Sequence, residues 1–155
     1  MRNIKDKSHL ISNLSDSLSD SSLLNALETV IADYKKQKSI RFIPLDLFSN
    51  RKLGVLEVVV KYLKENHEQS YHEIAILLKR DDRTIWTTYN KAIKKHHDAF
   101  SIKDNDSIDI GIFSDRKQAP LQALVRHLKA KGMNLKQIAK LLNRDYKTIW
   151  ATYHG

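Results

Sequence analysis

With no cysteine in 155 residues, neither a disulfide framework nor a thiolate metal site can form, and no apolar stretch approaches the roughly 18 residues that span a bilayer. The chain is 41% apolar and 29% charged, a globular balance, and its few turn formers (4 Gly, 2 Pro) favour helices joined by short loops. A net charge of +9 attracts polyanions, chiefly nucleic acid or anionic lipid, although a solvated lysine-rich surface explains such a charge as well.

The opening residues, Met1 to Lys7, have no apolar run behind them, so no signal peptide is expected. Ser12 to Ser22 is nearly all Ser, Asp and Leu and reads as loosely ordered, with Leu10, Ile11, Leu14 and Leu18 as a weak apolar stripe. Leu23, Leu24, Leu27, Val30, Ile31 and Tyr34 then form one face of an amphipathic helix over about 21–38. This arm, residues 1–42, either packs on the unit beginning at residue 43 or forms a homodimer contact.

Beyond the arm, the chain repeats itself. Ser70 to Tyr89 and Asn134 to Tyr153 share eleven of twenty positions at an offset of 64. Upstream the offset is 65: Phe48-Ser-Asn-Arg-Lys52 answers Phe113-Ser-Asp-Arg-Lys117, and Leu56, Val59, Val60 and Leu63 answer Leu121, Leu124, Val125 and Leu128. The first copy therefore gains one residue, most simply near His67–Gln69. The copies occupy residues 43–98 and 108–155, joined by a linker over 99–107.

Each copy opens on alternating apolar residues: Ile43, Leu45 and Leu47, then Ile108, Ile110 and Ile112. Period two predicts a short strand, which Pro44 and Gly111 confine to an edge or bulge. The two strands either pair about a pseudo-twofold axis or serve as extended lead-ins that cap the core. A first helix is predicted over 54–66 and over 119–131, the latter with Pro120 in its first turn and Gly132 past its end. A second begins at the capping boxes Ser70/Glu73 and Asn134/Gln137, with Ile74, Ala75, Leu77 and Leu78, or Ile138, Ala139, Leu141 and Leu142, inward. Tight turns follow at 79–81 and 143–145. Asn143 tolerates a left-handed backbone there, and Lys79 does so less readily. Asp81 and Asp145 are placed to cap a third helix, whose inward stripe is Ile85, Tyr89, Ala92 and Ile93, or Ile149 and Tyr153. The fold class is mainly α, with two three-helix units, each behind a candidate short strand, plus the N-terminal helix.

Three helices with a tight turn between the last two make a helix-turn-helix. The run Glu73-Ile74-Ala75-x-x-Leu78, Thr84-Ile85 and Lys91-Ala92-x-Lys94-Lys95 resembles region 4 of bacterial sigma factors and the related helix-turn-helix of response-regulator output domains. The likeness covers some 25–45 residues per copy. Neither copy has the glycine often found in the turn, and the second copy lacks the extension from Lys91 to Lys95.

The resemblance implies that the third helix enters the major groove of double-stranded DNA. The base-reading candidates are then Asp82, Arg83, Thr84, Trp86, Thr87 and Asn90, and in the second copy Tyr146, Lys147, Thr148, Trp150 and Ala151, with His154 also outward. Arg83 suits guanine, Asn90 adenine, and Thr87 and Ala151 thymine methyls. Candidates for phosphate are Arg51, Lys52, Ser70, Arg80, Lys91, Arg116, Lys117, Asn134, Lys136, Lys140 and Arg144, with Ser70 and Asn134 acting through free helix-start amides. Plainer readings stand beside these. Trp86 and Trp150 read better as core edge, Arg80 and Arg144 as ion pairs locking the turn, and Thr84 and Thr148 as reinforcing a helix start. Asp82 would repel phosphate, whereas residues 116–155, with nine basic side chains and one acid, are the better anchor.

Catalysis is not expected. His96-His97-Asp98 points in several directions on a helix, and no phosphate loop or Ser-His-Asp set is legible. No cofactor or metal is expected. The sequence reads as a cytoplasmic, nucleoid-associated DNA-binding protein that regulates transcription. Its rivals are a docking module for RNA polymerase or another transcription protein, and a low-specificity architectural or partition protein.

Overall fold

The computed structural model describes residues 21–103 and 106–155, without the side chains of 36–39. The stripe at Leu10 to Leu18 and the Ser-rich run up to residue 20 lie outside the described residues. The chain divides between Lys38 and Ser39 into two units. Helix α1 (Ser21–Ile40) begins in the first unit and ends just past the division. Along it Leu24, Leu27, Val30, Ile31 and Tyr34 are exposed.

The second unit holds both repeats. Strand β1 (Phe42–Pro44) leads into a 3-10 turn (Leu45–Ser49) and helices α2 (Val55–Glu65), α3 (Tyr71–Leu78) and α4 (Asp82–Lys95). The second repeat runs β2 (Ser107–Asp109), a 3-10 turn (Ile110–Ser114), α5 (Pro120–Ala130), α6 (Leu135–Leu141) and α7 (Tyr146–His154). The molecule is mainly helical, and none of the described helices is long and apolar enough to cross a membrane.

The strands are shorter than the alternating pattern suggests. Only Ile43 and Ile108 of each apolar triplet are in a strand; Leu45, Leu47, Ile110 and Ile112 turn inward from the 3-10 segments. Asp109 helps to turn the second copy, its side chain accepting from the Gly111 amide at 2.7 Å.

The two strands pair antiparallel, with Ile43 opposite Ile108, Phe42 opposite Asp109 and Pro44 opposite Ser107. Ile43 and Ile108 are equivalent residues of the two repeats, so the register is symmetric about them. The flanking bonds obey the same symmetry: Leu45 N donates to Asp106 O at 2.8 Å and Ile110 N to Arg41 O at 2.9 Å. Equivalent Phe48 and Phe113 then meet with ring centroids 5.8 Å apart. Both rings are buried, in one continuous core fed by both repeats. Such pairing of like with like is the signature of a twofold interface, here within one chain.

Inside each repeat the third helix packs across the first two. The turns before it are closed alike. Arg80 N donates to Ala75 O and Lys79 N to Ile76 O, and Arg144 N donates to Ala139 O and Asn143 N to Lys140 O. This closure requires a left-handed residue just past the helix. Lys79 (φ 50°) and Asn143 (φ 49°) supply it without glycine. A lysine there carries a steric cost that glycine lacks, partly offset by glycine's freedom in the unfolded chain. Lys79→Gly is therefore expected to stabilise the protein by about 0.5–1 kcal/mol, read as a higher urea midpoint at unchanged slope. A lower midpoint would show that the Lys79 side chain contributes more than its backbone costs.

The extra residue of the first repeat falls in the loop after α2. There Gln69 N closes on Leu63 O, where the second repeat closes one residue sooner with Met133 N on Leu128 O. Glu68 (φ 53°) takes the place of Gly132 (φ 94°).

Candidate nucleic-acid interface

The start of α4 is built by Asp81, whose carboxylate accepts from Thr84 N at 2.8 Å and Thr84 Oγ1 at 2.7 Å. These bonds hold its carboxyl below the usual carboxylate range. Thr84 is therefore committed to the cap. Ile85 and Ala92 anchor the helix in the core, and Arg83, Trp86 and Thr87 are exposed. In α7 the anchor is Ile149, and Tyr146, Lys147, Thr148, Trp150 and Ala151 are exposed.

Trp86 is 54% exposed and Trp150 50%, which corrects their reading as core edge. The core position next to each is filled by isoleucine, and at helical spacing the following residue turns about 100° away from it. Trp150 lies against His154, ring centroids 4.5 Å apart. Asn90 is less available than its position suggests, because its Nδ2 donates to Trp86 O at 3.0 Å. Asp82 faces His72 Nδ1 at 3.2 Å, a partner that neutralises it when the imidazole is protonated.

Asp145 stands at the start of α7 but does not cap it with its side chain. It accepts instead from Arg51 of the other repeat at 3.1 Å. The equivalent Asp81 instead keeps its carboxylate on the Thr84 cap, with the charge of Arg116 a minor further influence that lowers it. Arg144 does not form a turn-locking ion pair either. Its guanidinium donates to Leu53 O of the other repeat at 3.0 Å, and Arg80 is half-buried at the equivalent place.

The helix starts at Ser70 and Asn134 keep fewer free amides than the sequence suggests. Ser70 N donates to Glu73 Oε2 at 2.7 Å and Glu73 N to Ser70 Oγ at 3.2 Å. Asn134 N donates to Gln137 Oε1 at 2.8 Å and Gln137 N to Asn134 Oδ1 at 2.9 Å. Each capping box thus takes two of the four amides of its helix start. The Glu73 carboxyl is held below its ordinary range chiefly by the Ser70 amide.

Lys52, Lys91, Lys117, Lys136 and Lys140 are exposed, as are Arg116 and, beside Asp145, Arg51. The sequence pattern does not single out Arg126 and Lys129, because α5 reads as a core helix. They line an open groove of about 640 Å³ with Tyr153 and His154 at the end of α7. The signal for them lies in the charge of the helix's outer face alone.

Comparison with models of known protein families, with curated proteins and with solved structures finds no match to this chain.

Proposed function

We propose that the chain is a DNA-binding protein of the transcription-regulating kind, with two helix-turn-helix units whose third helices, α4 and α7, read the major groove. The observation that carries this reading is the outward face of those helices. At equivalent positions each turns out a cation and a tryptophan, Arg83 and Trp86 in one and Lys147 and Trp150 in the other. A helix fits the major groove, where each base pair shows its own pattern of donors and acceptors. Arg83 can take a guanine by two parallel hydrogen bonds, and Ala151 and Thr87 can meet thymine methyls. The exposed lysines and the net charge of +9 supply the phosphate attraction.

Fluorescence anisotropy with a random-sequence duplex tests the reading. Binding is expected at low salt and should weaken steeply toward physiological salt, by orders of magnitude where several phosphates are neutralised. Arg83→Ala and Lys147→Ala should each weaken it; unchanged affinity in both would remove α4 and α7 from the groove. Absence of binding at low salt would favour protein docking, for which exposed tryptophans are also suited. Full competition by excess random DNA against any chosen site would favour an architectural role.

A further inference from the structure

We infer that the DNA site is an inverted repeat with two unequal arms, although the two units follow one another head to tail in the chain. The inference rests on the proposed DNA-binding reading and adds the symmetry of the target to it.

Units strung on a flexible linker are free to read direct repeats. These two are not arranged that way. Ile43 pairs with its own equivalent Ile108, and Phe48 with its equivalent Phe113. Away from the axis the backbone bonds come as an exchanged pair: Leu45 N donates to Asp106 O, and the equivalent Ile110 N to the equivalent Arg41 O. The starts of α2 and α5 also face each other, through Gly54, Val55, Ala119 and Pro120 on one open groove. A rotation of about 180° therefore carries one unit onto the other.

That rotation also carries α4 onto α7. The backbone of a DNA duplex has twofold axes perpendicular to its length. Two reading helices related by a twofold engage one duplex in equivalent ways only when the two axes coincide. The half-sites then run in opposite directions, as they do for a symmetric dimer. The arms are unequal because the reading positions differ: Arg83 against Lys147, Thr87 against Ala151, Asp82 against Tyr146. Arginine's planar fork discriminates guanine better than a lysine's single ammonium, so the arm under α4 should be the more selective.

The full chain would be used to select from a duplex library with a randomised centre. The enriched site would then be rebuilt as inverted, direct and single-arm duplexes for anisotropy. The expected result is an inverted arrangement bound roughly tenfold or more tighter than either alternative, since each lost base contact costs severalfold or more. Arg83→Lys should relax preference in one arm and leave the other intact. A direct repeat bound as tightly as the inverted one, or a single arm bound as tightly as both, overturns the inference while leaving DNA binding in place. Binding without any enriched sequence does the same. No binding to any duplex overturns the inference together with the reading beneath it.

Discussion

Phe113→Ala is expected to destabilise both repeats together, at a cost of about 3–5 kcal/mol. The ring is 1% exposed and lies against Phe48, its equivalent in the first repeat. Truncation removes apolar burial and leaves a cavity where the two halves of the core meet, and the close-packed interior can collapse only partly into it. The molecule carries its own reporters, one tryptophan in each repeat, Trp86 and Trp150. Replacing either by phenylalanine leaves a single fluorophore that follows one repeat. In urea, both single-tryptophan proteins should give the same midpoint, and Phe113→Ala should lower both equally. A shift seen by Trp150 alone would show that the repeats unfold independently and that the axial contact does not couple them.

Glu65→Ala is expected to cost about as much, roughly 3–5 kcal/mol, for an electrostatic reason. Lys61 is wholly buried, and its ammonium is held by the Glu65 carboxylate at 2.5 Å and 2.6 Å. It also lies 5.5 Å from the centre of the buried Phe100 ring, and Glu65 accepts from Tyr89 Oη at 3.2 Å. Removing the carboxylate strands a buried cation and a phenol at once. Replacing both charges, Lys61→Met with Glu65→Leu, should cost far less, because two desolvated ions are exchanged for apolar packing. Urea midpoints of the single and double variants separate the two cases. A single variant no worse than the double would mean that the ammonium finds water or another acceptor. The second repeat has Arg126 and Ala130 at these places, with Arg126 exposed, so the network belongs to the first repeat alone.

How much of this was legible in the sequence depends on the range of the interaction. The capping boxes at Ser70 and Asn134, the inward stripes and the three-helix division of each repeat rest on contacts within a turn or two. Residue type at fixed spacing therefore determines them. The left-handed turn at Lys79 was legible as a turn, and only its hydrogen-bond closure shows why a lysine must adopt that backbone. The outward cations Arg83 and Lys147 follow from the same helical period. The same period turns Trp86 and Trp150 away from the core isoleucines, but hydropathy pulls a large aromatic beside the apolar stripe toward the core, and the exposure of both in the fold decides between the two.

That there are two alike units, which residues form their helices and which faces those helices bury can all be read from the amino acids in order. How the units meet is a matter of long-range contact. Arg51 with Asp145, Arg144 with Leu53 O and Phe48 with Phe113 join residues 65 to 94 positions apart. No local period encodes such pairs. The twofold arises because two similar surfaces, each with a strand edge and an aromatic, satisfy each other best when like meets like.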